Sequence, residues 1–220
     1  ATGYQRALGE SLFEIIAQFA DYAFNKSHSY GYGVVTFQTA YLKAHYPVEY
    51  LSALLTSVKT SLEKAAVYLN ECRTMGIQVL VPDVNRSASD FEPARLEDGT
   101  EVIPFGLSAV RNVGEALVQK IIEERSANGT FADFYDFCER VDMSVLNKKT
   151  LESLIKAGGF DSLGHPRRGL LAVYEQIVDS TIARRKERDV GIYSLFGEVE
   201  ESAGGFEERA SIPELAFDKK

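Results

Sequence analysis

The chain has 220 residues, 45% of them hydrophobic and 25% charged, which is enough to bury one large core or two modest ones and excludes disordered, collagenous and mucin-like classes. A formal net charge of −8 argues against a protein that coats phosphates with cations. No apolar run reaches the roughly 20 residues needed to span a bilayer, and Cys72 and Cys138 are too far apart for a metal or disulfide framework. A soluble chain in a reducing cytoplasm is therefore expected, and an N-terminal Ala without signal-peptide features suggests a fragment or a processed chain.

Residues 8 to 24 carry Leu8, Leu12, Phe13, Ile15, Ile16, Phe19, Ala20 and Ala23 near helical spacing, which predicts a helix with one wide buried stripe. Residues 25 to 33 gather polar side chains around Gly31 and Gly33 and read as a loop or helix junction. A second helix is expected from Val34 to His45, ended by Pro47, and a third from Val48 to Ser57, both packed in a core. Thr60 and Glu63 have capping-box spacing ahead of a face formed by Leu62, Ala65, Ala66, Leu69 and Cys72, with Gly76 as the stop. Ile77 to Val81 reads as a strand, and Phe91 with Val102 to Phe105 as its partners around the Asp98-Gly99 turn. The fold class is mainly α with a small β insertion.

From Gly106 the pattern becomes short helices joined by Gly-centred turns. Leu107 and Val110 begin one unit, Asn112-Val113-Gly114-Glu115 make its hairpin, and Ala116 to Arg125 form its second helix. Thr130 to Val141, with Phe131, Phe134 and Phe137, bridges to a second unit. There Asn147 caps a helix through Leu151, Leu154 and Ile155, Gly158-Gly159 break it, and Pro166 starts a long final helix.

A hairpin between helices presents unpaired amides at the start of its second helix, and these hold an anion through their donors and the helix dipole. This would let an acidic chain grip duplex phosphates through Asn112, Val113, Gly114, Glu115, Gly158 and Gly159. The alternative is an ordinary αα-hairpin whose glycine only permits the turn. Lys26, Ser27, His28, Tyr30 and Tyr32 form another polar group, suited either to contacts with a triphosphate or to a helix end that attracts cations. No compact pair of carboxylates, Gly-rich nucleotide fingerprint or nucleophile elbow is visible. Arg184, Arg185, Lys186 and Arg188 make a basic cluster ahead of residues 191 to 220, where seven acids face three bases, a balance of −4 that is half of the chain's total. Within that acidic stretch Ile192 to Phe196 places an apolar pair where a partner's pocket, or the chain's own surface, would bury it.

Phe24-Asn25-Lys26-Ser27-His28, Tyr32-Gly33, the run Gln38 to Pro47, Leu80-Val81-Pro82-Asp83-Val84-Asn85, Phe105-Gly106-Leu107 leading to Asn112-Val113-Gly114, and Leu151 to Leu163 together resemble the bacterial C-family replicative polymerases, the DNA polymerase III alpha subunits. The resemblance covers nearly everything before the acidic tail. It implies three segments: 1–105 as the later fingers domain with its β element, 106–190 as a helix-hairpin-helix duplex-binding domain, and 191–220 as a clamp-binding motif with an acidic tail. Lys26, Ser27, His28 and Tyr32 would lie near the incoming deoxynucleoside triphosphate and the primer-template, and Ile192, Tyr193, Ser194, Leu195 and Phe196 would bind the sliding clamp, although Ile192 stands where the motif usually has Gln.

The resemblance also implies other replicase subunits as partners. The catalytic carboxylates and their magnesium would belong to a palm domain outside this chain, so no cofactor is expected here and the piece alone would not polymerise. The alternatives are a stand-alone, non-specific duplex-binding module and a helical protein-interaction scaffold.

Overall fold

The computed structural model describes Gly3 and residues 5–22, 26–189 and 210–214. Its elements are α1 (Arg6–Tyr22), α2 (Lys26–His45), α3 (Pro47–Ser57), α4 (Leu62–Thr74), β1 (Gln78–Leu80), β2 (Ala94–Arg95), β3 (Glu101–Pro104), α5 (Glu115–Asn128), α6 (Phe134–Arg140), α7 (Lys148–Ala157) and α8 (Arg167–Asp189), with 3-10 turns at 107–109, 143–145 and 161–163. The fold is mainly helical with one small sheet, as expected. Residues 1–50 and 51–220 form two compact units, the division falling inside α3.

In the first unit α2 begins at Lys26, and residues 26 to 33 are helical where a loop was expected. Gly31 and Gly33 have open space around them. Glycine lowers helix propensity without forcing a break when its neighbours hold the turn. Aromatic rings four residues apart meet at a tilt along the same helix: His28 with Tyr32 at 4.2 Å and Tyr41 with His45 at 4.3 Å. On α1 Leu8, Leu12, Phe13, Ile15 and Ile16 are exposed, Phe13 at 71%, and on α2 Val34, Val35 and Phe37 are exposed too. The expected burial of these faces is therefore overturned. Periodicity shows that a face is made for burial, but not what covers it.

The second unit opens on Leu51 and Leu55 of α3, both buried. Ser61 precedes α4 as its N-cap without a side-chain cap bond, so the expected capping box does not form. Only Ala65 and Cys72 of α4's predicted face are buried, Leu62 being 75% exposed. Gly76, at φ 73°, turns the chain into β1. β3 lies at the centre of the sheet, parallel to β1 and antiparallel to β2, with Gln78 opposite Val102 and Arg95 opposite Glu101. Arg95 and Glu101 pair across the strands at 2.6 Å. Phe91 is not a strand residue; it is buried edge-on against Phe105 at 4.7 Å.

One core runs through the helical part and includes Leu107, Val118, Ile121, Phe131, Phe134, Phe137, Leu151, Leu154, Ile155, Phe160, Leu170 and Ile177. Phe134 and Phe137 meet Phe160 edge-on at 5.0 and 4.9 Å. Val84, from the loop after β1, is fully buried in the same core. Its amide donates to the Gly159 carbonyl at 2.9 Å, and Arg125 Nη1 donates to its carbonyl at 2.8 Å. Asn85 exchanges two bonds with the Phe131 backbone, at 2.9 and 2.8 Å. The Pro82 to Asn85 loop is thus bonded into the helical body. Cys72 and Cys138 are buried and unbridged.

Candidate nucleic-acid interface

The first hairpin runs from the 3-10 turn at Leu107–Ala109 to α5. Asn112 has φ 64°, a left-handed conformation that Asn adopts more readily than most residues. The turn drops Val113 into the core and leaves Gly114, Glu115 and Ala116 exposed. Gly114 is the N-cap of α5, it receives no side-chain cap bond, and open space surrounds its Cα. The Gly114 carbonyl accepts the amides of Leu117 at 3.0 Å and Val118 at 3.1 Å. Among the described residues, the amides of Gly114, Glu115 and Ala116 have no acceptor, as the start of an uncapped helix requires.

Neighbouring elements hold this hairpin. Thr150 of α7, 3% exposed, donates its hydroxyl to the Asn112 carbonyl at 3.1 Å, and Asn112 Nδ2 donates to Ser153 Oγ at 3.1 Å. α7 is itself well punctuated, because Asn147 Oδ1 accepts the amides of Lys149 and Thr150. Arg111 and Lys149, each next in sequence to a residue of this contact, are exposed, and neither has an ion-pair partner among the described residues. One acid intrudes: Glu115, paired only loosely with Lys59 at 3.9 Å.

The other expected backbone donors are engaged elsewhere. The amides of Gly158 and Gly159 donate to Ile155 and Leu154 carbonyls at 3.1 and 2.8 Å, closing the C-terminus of α7, and both residues are buried. Gly158 has φ 95°, and a Cβ there would overlap the guanidinium of Arg167, which forks onto Asp161 at 2.8 and 2.5 Å. This glycine is a helix stop, not a phosphate contact. The Val113 amide is likewise taken by the Val110 carbonyl at 3.1 Å.

Residues 141–147 join α6 to α7. Asp142 there accepts from Ser144 and from Lys120 of α5, and these bonds hold its carboxyl well below the usual range. Sequence reasoning missed Ala116, Arg111, Lys149, Thr150 and Ser153. Only the local rule that three or four N-terminal amides stay unpaired pointed to Ala116.

Lys26 and Ser27 open α2, and His28 and Tyr32 follow on the same helix face one turn apart, with Tyr32 60% exposed. Phe24, Asn25 and the whole run Ile192 to Phe196 lie outside the described residues. Among the described residues no group of three His, Cys, Asp or Glu stands together to hold a metal ion, and no helix is long and apolar enough to cross a membrane.

Residues 76–170 match the helix-hairpin-helix motif family, so the body built around α5 to α7 is of that class. The chain is also 48% identical over 204 residues to DNA polymerase III subunit alpha of Mycobacterium tuberculosis, covering 93% of the chain and 17% of that protein. It is 46% identical to the alpha subunits of Saccharopolyspora erythraea over 98% of the chain and of Thermus aquaticus over 86%. It is thus a homologue of one segment of the bacterial DNA polymerase III alpha subunits. It spans less than a fifth of the length of these relatives.

Proposed function

We propose that this chain is the part of a replicative DNA-directed DNA polymerase that holds the product duplex, and that the start of α5 is its phosphate contact. The observation that carries the reading is the set of exposed, acceptor-free amides at Gly114, Glu115 and Ala116 beside a hairpin anchored by Thr150. Such donors suit an anion without a dense cation cluster, which reconciles duplex binding with a net charge of −8. Phosphate contacts of this kind fix position without reading bases. Arg111 and Lys149 supply the long-range attraction. The similarity to alpha subunits, over about nine-tenths of the chain, supports the replicase setting.

In the intact polymerase, Lys26, Ser27, His28 and Tyr32 approach the incoming deoxynucleoside triphosphate, and Ile192 to Phe196 attaches to a sliding clamp alongside other replicase subunits. Their support is the similarity to alpha subunits and, for His28 and Tyr32, a shared exposed face on α2. Magnesium for phosphoryl transfer is assigned to carboxylates elsewhere in the polymerase, as the likeness to alpha subunits implies. The test is duplex binding by the whole chain, followed by fluorescence anisotropy. Affinity should fall linearly on a log–log plot against salt and stay the same across unrelated sequences. Salt-independent binding, or none, would remove the reading.

A further inference from the structure

Gly169 lies in the first turn of α8 with no positive φ, so its backbone does not call for glycine. What it does adjoin is the far end of the described chain. A Cβ at Gly169 would overlap the carbonyl oxygen of Pro213 and stand 3.3 Å from Ile212 Cγ2. Tyr135 of α6 donates its hydroxyl to the Ala210 carbonyl. Ala210 and Ile212 pack on the helical core, while Ser211 and Glu214 face solvent, the alternation of an extended segment. His165, edge-on to Tyr135 with ring centres 6.4 Å apart, completes the wall.

We infer that Tyr135, His165 and Gly169 form a docking notch for an extended Ile-Pro segment, and that its occupant is the chain's own residues 210–214, a strap returned to the start of α8. Two independent features agree. A Cβ at position 169 would meet the strap's main chain, and the tyrosine beside it spends its hydroxyl on that same main chain. α8 is about 34 Å long at 1.5 Å per residue, so the strap carries the chain from the far end of that helix back to its beginning. This inference does not depend on duplex binding.

The experiment uses the full 220-residue chain and follows tryptic cleavage after Arg209 by mass spectrometry, together with the melting temperature. A protease must draw several residues on each side of the bond into its cleft, so a docked 210–213 protects that site. Gly169→Ala should speed cleavage there about tenfold, and so should Ile212→Ser. Tyr135→Phe, which removes only the hydroxyl, should speed it severalfold with helix content unchanged. Alanine is also the better helix former, so the melting temperature provides a second readout. Gly169→Ala should not raise it in the intact chain, but should raise it when Ile212→Ser has already released the strap, a sign change that only coupling between the two sites produces. A Gly169→Ala chain that melts higher than the parent, with unaltered cleavage after Arg209 in all three variants, would overturn the strap.

Discussion

Thr150 Oγ1 donates a 3.1 Å hydrogen bond to the carbonyl of Asn112, joining two residues 38 positions apart and fixing the one non-glycine left-handed residue among the described residues. The left-handed turn at Asn112 aims the start of α5 outward, so the proposed grip depends on a helix that does not itself carry the free amides. Thr150→Val keeps the shape and removes the donor. It should cost about 1–2 kcal/mol in denaturant unfolding and weaken duplex binding severalfold, with Thr150→Ser restoring both. Asn112→Gly should retain binding, whereas Asn112→Ala should cost roughly 1 kcal/mol for the left-handed backbone.

Gly114 offers a way to separate folding from binding. Its φ of −79° and ψ of 144° suit any residue, and open space surrounds it. Aspartate is a preferred N-cap, so Gly114→Asp should leave the melting temperature unchanged or raise it slightly, by a few tenths of a kcal/mol in stability. The same carboxylate would occupy the amides and repel phosphate. Anisotropy should then show at least a tenfold loss of duplex affinity in a better-capped helix.

Asn85 secures the loop that carries Val84 into the core. Replacing it with Ala leaves the Phe131 amide and carbonyl unpartnered in a half-buried setting. The expected loss is about 2 kcal/mol of unfolding free energy, measured in urea with the slope unchanged.

Asp142 predicts a dependence on pH. Hydrogen bonds from Ser144, with Lys120 adding both a bond and its charge, lower its carboxyl below the unfolded value of roughly 4. A group with a depressed folded pKa contributes stability that is present above its unfolded value and lost as pH falls through the folded one. Melting temperature should thus drop below about pH 4. Asp142→Asn should lower it at neutral pH and flatten that acid limb, as pH-resolved thermal scans would show.

Burial raises the Cys138 thiol well above its usual range and the Cys72 thiol in the same direction. Both should resist alkylation at pH 8 in the native chain and react once it is unfolded in guanidinium, as mass spectrometry would count.

The parts of this structure that could be read from sequence are those governed by neighbours along the chain. Asn147 as a cap, the Leu151, Leu154 and Ile155 face, and the break at Gly158 all depend on residues within a turn or two. The same local logic misled at Gly31 and Gly33, where glycine marks a weakness that the surrounding helix absorbs. It also misled at Gly158 and Gly159, whose amides turn inward to finish a helix. Thr150 meeting Asn112, Asn85 meeting Phe131 and Gly169 meeting Pro213 join distant positions, and no periodicity encodes them. The stripe on α1 was legible as amphipathic while its exposure was not, because the pattern is a property of one helix and the burial a property of two.

The three-stranded sheet carries a consequence for biosynthesis. Its middle strand, β3, is the last of the three to be synthesised, so β1 leaves the ribosome with no neighbour to bond and stays an open edge for about twenty residues of elongation. β2 and β3, by contrast, are joined by the tight Asp98-Gly99 turn and can zip together within microseconds of emerging. Nascent chains stalled between Leu80 and Glu101 should accordingly be the ones that recruit holdase chaperones, and release past Pro104 should end that dependence.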